Sequence, residues 1–192
     1  MTGPAVGSFP ILAVCTGNVC RSPALELRLR GALGTGAGVT VSSAGVHAVA
    51  GAPVDPAMAA LLGEVPAGWS ARQLTPDLVR AAGLVLTFTR QQRRRVVGAV
   101  PAAVRRTFTL REFADLASIA AADGAVAGVV PSVQALAELV QAVPRYRGLR
   151  ADDGDDIEDP YGRGPEVFAR VLAEIDDAVA AISGSLPDPH AR

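Results

Sequence analysis

Aromatic residues, cysteine and net charge are all scarce in this sequence. Only 4% of its 192 residues are aromatic while 49% are hydrophobic, so a core must be built mainly from Ala, Val and Leu. The formal net charge of −1 removes the electrostatic case for a nucleic-acid or acidic-membrane surface. No apolar run approaches the length of a transmembrane span. Residues 1–7 hold no basic stretch of the kind that opens a secretory signal, so a cytoplasmic location is expected. The two cysteines, Cys15 and Cys20, lie in one short stretch and are not a structural staple. No cluster has metal-ligand spacing, and neither metal nor cofactor is expected. At this length the chain reads as one domain around one core.

What is present is the stretch Ile11-Leu12-Ala13-Val14-Cys15-Thr16-Gly17-Asn18-Val19-Cys20-Arg21-Ser22-Pro23. Four apolar residues read as a buried strand that ends in a cysteine. A short loop follows, and then a helix with Ser22 as N-cap and Pro23 as first residue. Backbone N–H groups in such a strand-to-helix turn converge on one point, and the helix adds its positive dipole end, which suits a phosphate. Gly17 and Asn18 tolerate the left-handed backbone this nest needs. Loop amides, dipole and Arg21 all favour the thiolate of Cys15, and the Ser22 hydroxyl would add a donor. The planar fork of Arg21 fits two oxygens of a tetrahedral oxyanion. A nucleophile beneath a bound phosphoryl group points to covalent catalysis through a cysteinyl-phosphate.

Apolar runs predict strands at 9–14, 39–42 and 84–88 and a short one at 106–109. Helices are expected at 23–33, with Leu25, Leu29 and Leu33 as a buried stripe, and after Asp55-Pro56, over Met58, Leu61 and Leu62. Others are expected after Thr75-Pro76-Asp77, from Arg90, and at 165–183. In the last, Val167, Phe168, Val171, Leu172, Ile175, Val179 and Ile182 share one face. This alternation predicts an α/β fold: a three-layer, doubly wound, four-stranded parallel sheet with helices on both faces and a phosphate-binding loop after strand 1. Residues 1–8 read as a flexible N-terminus, 9–183 as the domain with a helical and loop insertion at about 112–156, and 184–192 as a tail. Arg93, Arg94 and Arg95 read as a solvent face, and Asp152-Asp153-Gly154-Asp155-Asp156 as a solvated loop. The acidic run has a second reading, in which it repels highly anionic phosphates or keeps the nearby Asp159 protonated by like-charge proximity.

Cys-x5-Arg-Ser after an apolar strand resembles the low-molecular-weight protein tyrosine phosphatase family. Three further motifs follow in that family's order: Ser43-Ala44-Gly45, Ala71-Arg72-Gln73-Leu74 and Ile157-Glu158-Asp159-Pro160-Tyr161. The resemblance implies Cys15 as nucleophile, Arg21 as phosphate ligand and Asp159 as general acid and then base. An oxide leaving from phosphorus needs a proton, and the same carboxylate can then deprotonate the water that hydrolyses the intermediate. It also implies phosphate binding by Thr16, Gly17, Asn18, Val19, Cys20 and Ser22, substrate walls at Val49 and Tyr161, and loop support from Ser43. The implied partner is a phosphotyrosine protein, a tyrosine kinase or its targets, with inorganic phosphate as product.

The sequence departs from the family pattern in places. A histidine is expected two residues before Ala71-Arg72, and Trp69 stands there; His47 is a nearby residue that could compensate, while His190 falls in the tail. Cys20 lies where the family often has a second cysteine, which implies a reversible disulfide with Cys15; a small loop-packing role reads as well. Gly162 and Val49 replace family aromatics, so stacking on a phosphotyrosine ring is thinner. Members similar to protein-arginine phosphatases carry threonine before the second cysteine. Val19 lacks that hydroxyl, which favours an oxygen ester, tyrosine phosphate. A protein-arginine phosphatase, an arsenate reductase coupled to a small thiol, and a non-catalytic phosphate-binding module stay open as alternatives.

Overall fold

Residues 11–15 are all buried, as expected for a strand in the middle of a sheet that is covered on both faces. The computed structural model describes residues 7–34, 38–126, 132–150 and 154–187. In it β1 (Phe9–Cys15) pairs in parallel with β2 (Val39–Gly45) on one side and β3 (Leu84–Thr87) on the other. β4 (Thr107–Thr109) extends the sheet beyond β3, giving the order β2-β1-β3-β4. The expected four-stranded parallel α/β sheet is observed. The chain visits one side of β1 and then the other, so the crevice at the carboxyl end of β1 is where such folds bind ligands.

Side chains along β1 alternate between two cores. Ile11, Ala13 and Cys15 join the larger one, with α1 (Arg21–Leu33), α5 (Leu110–Ala122) and α7 (Pro165–Gly184). Leu12 and Val14 join the smaller one, with Val79 of α3 (Pro76–Ala81) and Val96 of α4 (Arg90–Ala99). α5 buries Leu110, Phe113 and Leu116, and α6 (Ser132–Ala142) and the 3₁₀ segment Val143–Leu149 pack beside it. No helix among the described residues is long and apolar enough to cross a membrane.

Most helices begin on a side-chain cap. Asp55, Thr75, Thr89 and Thr109 accept backbone N–H groups of α2 (Pro56–Leu62), α3, α4 and α5, the last with Glu112 in a reciprocal box. α1 corrects an expectation. It starts at Arg21 with Cys20 in the cap position and no side-chain cap, because the Ser22 hydroxyl is engaged by Cys15 and Asn18. The helix expected over Met58, Leu61 and Leu62 is α2; Met58 is fully buried on it, while Leu61 is 41% exposed. Arg94 and Arg95 are exposed, but Arg93 is half-buried and donates to the Thr107 carbonyl at 2.8 Å, anchoring β4.

The acidic run also differs from a solvated loop. Asp155 is buried between Arg90 (3.0 Å) and Arg150 (2.5 Å), because guanidinium groups from distant elements converge on it. Asp152, Asp153 and His190 lie outside the described residues. The chain contains no lysine, so every side-chain cation in these pairs is an arginine.

Leu29 is fully buried beneath the sheet, and Leu29→Ala is expected to destabilise by about 3 kcal/mol in urea unfolding. Leu61→Ala is expected to change stability by less than about 1 kcal/mol.

Candidate active site

The end of β1 passes into a loop whose shape is set by hydrogen bonds to side chains. Asn18 takes the left-handed backbone (φ 56°), where asparagine is tolerated. Gly17 does not, so of the two residues expected there only Asn18 adopts that conformation. The turn brings Asn18 N–H to the sulfur of Cys15 at 3.2 Å, and the Ser22 hydroxyl lies 2.9 Å from the same sulfur. The Asn18 carboxamide donates to Ser22 Oγ (2.9 Å) and Ser43 Oγ (2.8 Å) and accepts from Arg72 N–H (2.8 Å).

Behind this bracket stands a residue that the sequence did not single out. Glu26, on α1, is 4% exposed, and its carboxylate accepts from Ser43 Oγ at 2.5 Å and Trp69 Nε1 at 3.3 Å. Arg30, one turn on, pairs with it at 2.6 Å and also donates to the Val41 carbonyl. Trp69 therefore reaches the brace through its indole N–H, while His47 lines the cavity mouth instead of replacing the missing histidine. Gln92 is a second unforeseen support. It is buried on α4, donates to Thr16 Oγ1 at 3.1 Å and accepts from Phe88 N–H at 2.9 Å.

The other two motifs explain themselves by packing. Ala71-Arg72-Gln73-Leu74 runs beside Ser43-Ala44-Gly45: Gly45 N–H donates to the Arg72 carbonyl, Leu74 N–H to the Gly45 carbonyl, and Arg72 Nε to the Ser43 carbonyl. A Cβ on Gly45 would sit 2.5 Å from the Thr16 carbonyl oxygen and 3.0 Å from Asn18 N, so glycine lets the two loops touch.

Cys15, Thr16, Gly17, Val19, Cys20, Arg21, Val49, Asp159 and Tyr161 line one cavity of about 210 Å³. Asn18, Ser22 and Ser43 lie behind it as the brace. The uncapped first turn of α1 leaves its N–H groups available to an anion. Arg21 is 3% exposed; its Nη1 donates to the Ile157 carbonyl at 3.0 Å and its Nη2 pairs with Asp159. Its Nε is buried with no hydrogen-bond partner among the described residues, a donor that suits an oxyanion. Val49 and Tyr161 are 52% and 63% exposed, an open apolar rim.

Both thiols are free. Burial, and then the field of Asp55, push the Cys20 thiol far up from its ordinary range, so it stays protonated; Arg21 opposes this only weakly.

A model of the family described as low molecular weight phosphotyrosine protein phosphatase matches residues 10–123. The probable low molecular weight protein-tyrosine-phosphatase EpsP of Ralstonia solanacearum is 39% identical over 105 residues, covering 53% of this chain and 70% of that protein. The solved YwlE arginine phosphatase from Geobacillus stearothermophilus superposes with a TM-score of 0.65 at 26% identity, covering 92% of this chain and 91% of that one. The low molecular weight protein tyrosine phosphatase from T. tengcongensis gives 0.66 at 26% identity, covering 93% and 100%.

In the unfolded chain the Cys20 thiol ionises near pH 8.5, roughly the free-cysteine value, so the folded state holds its proton more tightly. The stability this gives is complete below that pH and is lost as pH rises above it. Melting temperature is expected to fall more steeply between pH 8 and pH 10 in the wild type than in Cys20→Ala, measured by circular dichroism.

Proposed function

Because the chain belongs to the low molecular weight phosphotyrosine protein phosphatase family, we propose that it hydrolyses phosphotyrosine in proteins, with Cys15 as nucleophile and Asp159 as general acid and base. One observation carries the reading: the sulfur of Cys15 accepts from the Asn18 N–H and shares a hydrogen bond with the Ser22 hydroxyl, in the same small cavity that holds Arg21 and Asp159.

The chemistry follows from those positions. The phosphoryl dianion binds the loop amides and the guanidinium of Arg21, drawing Arg21 away from Asp159. The thiolate of Cys15 attacks phosphorus, an S–P bond forms, and the P–O bond to the aryl group breaks. The leaving oxygen takes the proton of the Asp159 carboxylic acid. Water then attacks the cysteinyl-phosphate while the Asp159 carboxylate accepts its proton, and the S–P bond breaks to release inorganic phosphate. The loop amides and Arg21 stabilise the charge spread over the equatorial oxygens.

The apolar rim supports an aryl ester over a guanidinium phosphate. Val49 and Tyr161 offer faces to a ring, and Val19 presents methyl groups where a hydroxyl would be needed to bind a guanidinium.

In the presence of a chelator, wild type is expected to hydrolyse 4-nitrophenyl phosphate, Cys15→Ser to be inactive, and Asp159→Asn to be slowed by about 10²-fold or more. A phosphotyrosine peptide is expected to be turned over in preference to a phosphoarginine peptide. A folded wild type inert toward both would overturn the catalytic reading in favour of a phosphate-binding module.

A further inference from the structure

Asp159 has little packing of its own. Its side chain is 49% exposed, and the contacts described for its carboxylate are Arg21 and the N–H of Tyr161 at 3.2 Å. When a phosphoryl group takes Arg21, the first of these is lost. A proton donor must still lie within hydrogen-bond reach of the leaving oxygen, about 3 Å, and a misplacement of about 1 Å is expensive. The backbone must therefore hold the acid, yet residues 154–160 have no regular secondary structure.

The stretch just before Asp159 is pinned strongly. Asp155 is 8% exposed, with Oδ2 3.0 Å from Arg90 Nε and Oδ1 2.5 Å from Arg150 Nη1. Arg90 opens α4, and its N–H also donates to Asp156 Oδ1 at 2.8 Å. Arg150 follows the 3₁₀ segment and holds Asp115 of α5 at 2.7 Å. Two residues on from Asp155, Ile157 N–H donates to the Phe88 carbonyl at 2.8 Å. The Arg90 contact is a charge-assisted hydrogen bond and so directional, and Arg150 adds a close ion pair on the other carboxylate oxygen.

We propose that Asp155 is a positioning residue for the general acid: clamped by Arg90 and Arg150, it fixes the backbone that presents Asp159 to the leaving group. The segment between β4 and the acid loop thereby acts on the chemistry through Arg150, without touching substrate. The inference rests on Asp159 being the proton donor.

The test is the leaving-group dependence of kcat/KM, which reports transfer to cysteine, in Asp155→Asn and Arg150→Met. Phenyl phosphate needs the acid more than 4-nitrophenyl phosphate does. In Asp155→Asn, kcat/KM for phenyl phosphate is expected to fall about tenfold or more, and that for 4-nitrophenyl phosphate less than about threefold. Inhibition by inorganic phosphate should stay within about twofold, since the loop that binds it is intact. Added to Asp159→Asn, the substitution should cause no further selective loss. Arg150→Met, which keeps the Arg90–Asp155 pair, should show the same selectivity at smaller size and serves if Asp155→Asn does not fold. An equal fall with both substrates, or no change in either, would overturn the proposal. If Asp159→Asn itself showed no leaving-group selectivity, the proton-donor reading would fall and this inference with it. Selectivity in Asp159→Asn alone would overturn only the role of Asp155.

Discussion

The carboxamide of Asn18 makes three hydrogen bonds, and its own N–H makes a fourth contact, with the sulfur of Cys15. The residue is fully buried, so each partner removed would leave an unsatisfied polar group, at a cost of about 1–3 kcal/mol. Its partners come from the first turn of α1, from β2 and from the segment before α3. One left-handed residue thus locks three separate pieces of chain around one thiol. Glu26 extends the lock a layer deeper, where a buried carboxylate is tolerated because hydroxyl, indole and guanidinium donors all reach it.

Arg21 faces the opposite problem. A guanidinium that is 3% exposed needs an anion whether or not substrate is bound, and Asp159 is the one paired with it here. On the proposed reading the phosphoryl dianion replaces Asp159 as the counter-charge. The exchange leaves the carboxyl free to carry a proton at the moment a leaving group needs one. Substrate binding and release of the acid are then a single electrostatic event, and the loop carrying Asp159 must keep its place through it.

Local signals made the scaffold legible. Apolar runs marked the strands, and Asp55-Pro56 and Thr75-Pro76 marked helix starts, because caps and strand cores are decided within a few residues. Cys15, Arg21 and Asp159 were legible as motifs, and the structure brings them to one cavity. Ser22 misled because the hydroxyl that suits a cap is spent on the thiol. Glu26 went unseen because a glutamate in a helix normally faces water; its one signal was its place a turn after Ser22, on the inward side of α1. Asp155 was hidden by its neighbours. A run of like charges looks solvated, and nothing local shows that Arg90, far back in the chain, folds onto it.

The absence of lysine bears on how these pairs respond to their surroundings. Acylation of side-chain amines, enzymatic or chemical, finds no target among them, and cross-linkers aimed at such amines pass the network by. Dicarbonyl reagents that condense with guanidinium groups would meet its outer members first, with Arg21 sheltered inside. Guanidinium also keeps its proton at any pH the fold survives. The cationic half of every clamp is therefore invariant, and any acid–base response of the clamps has to enter through their carboxylates.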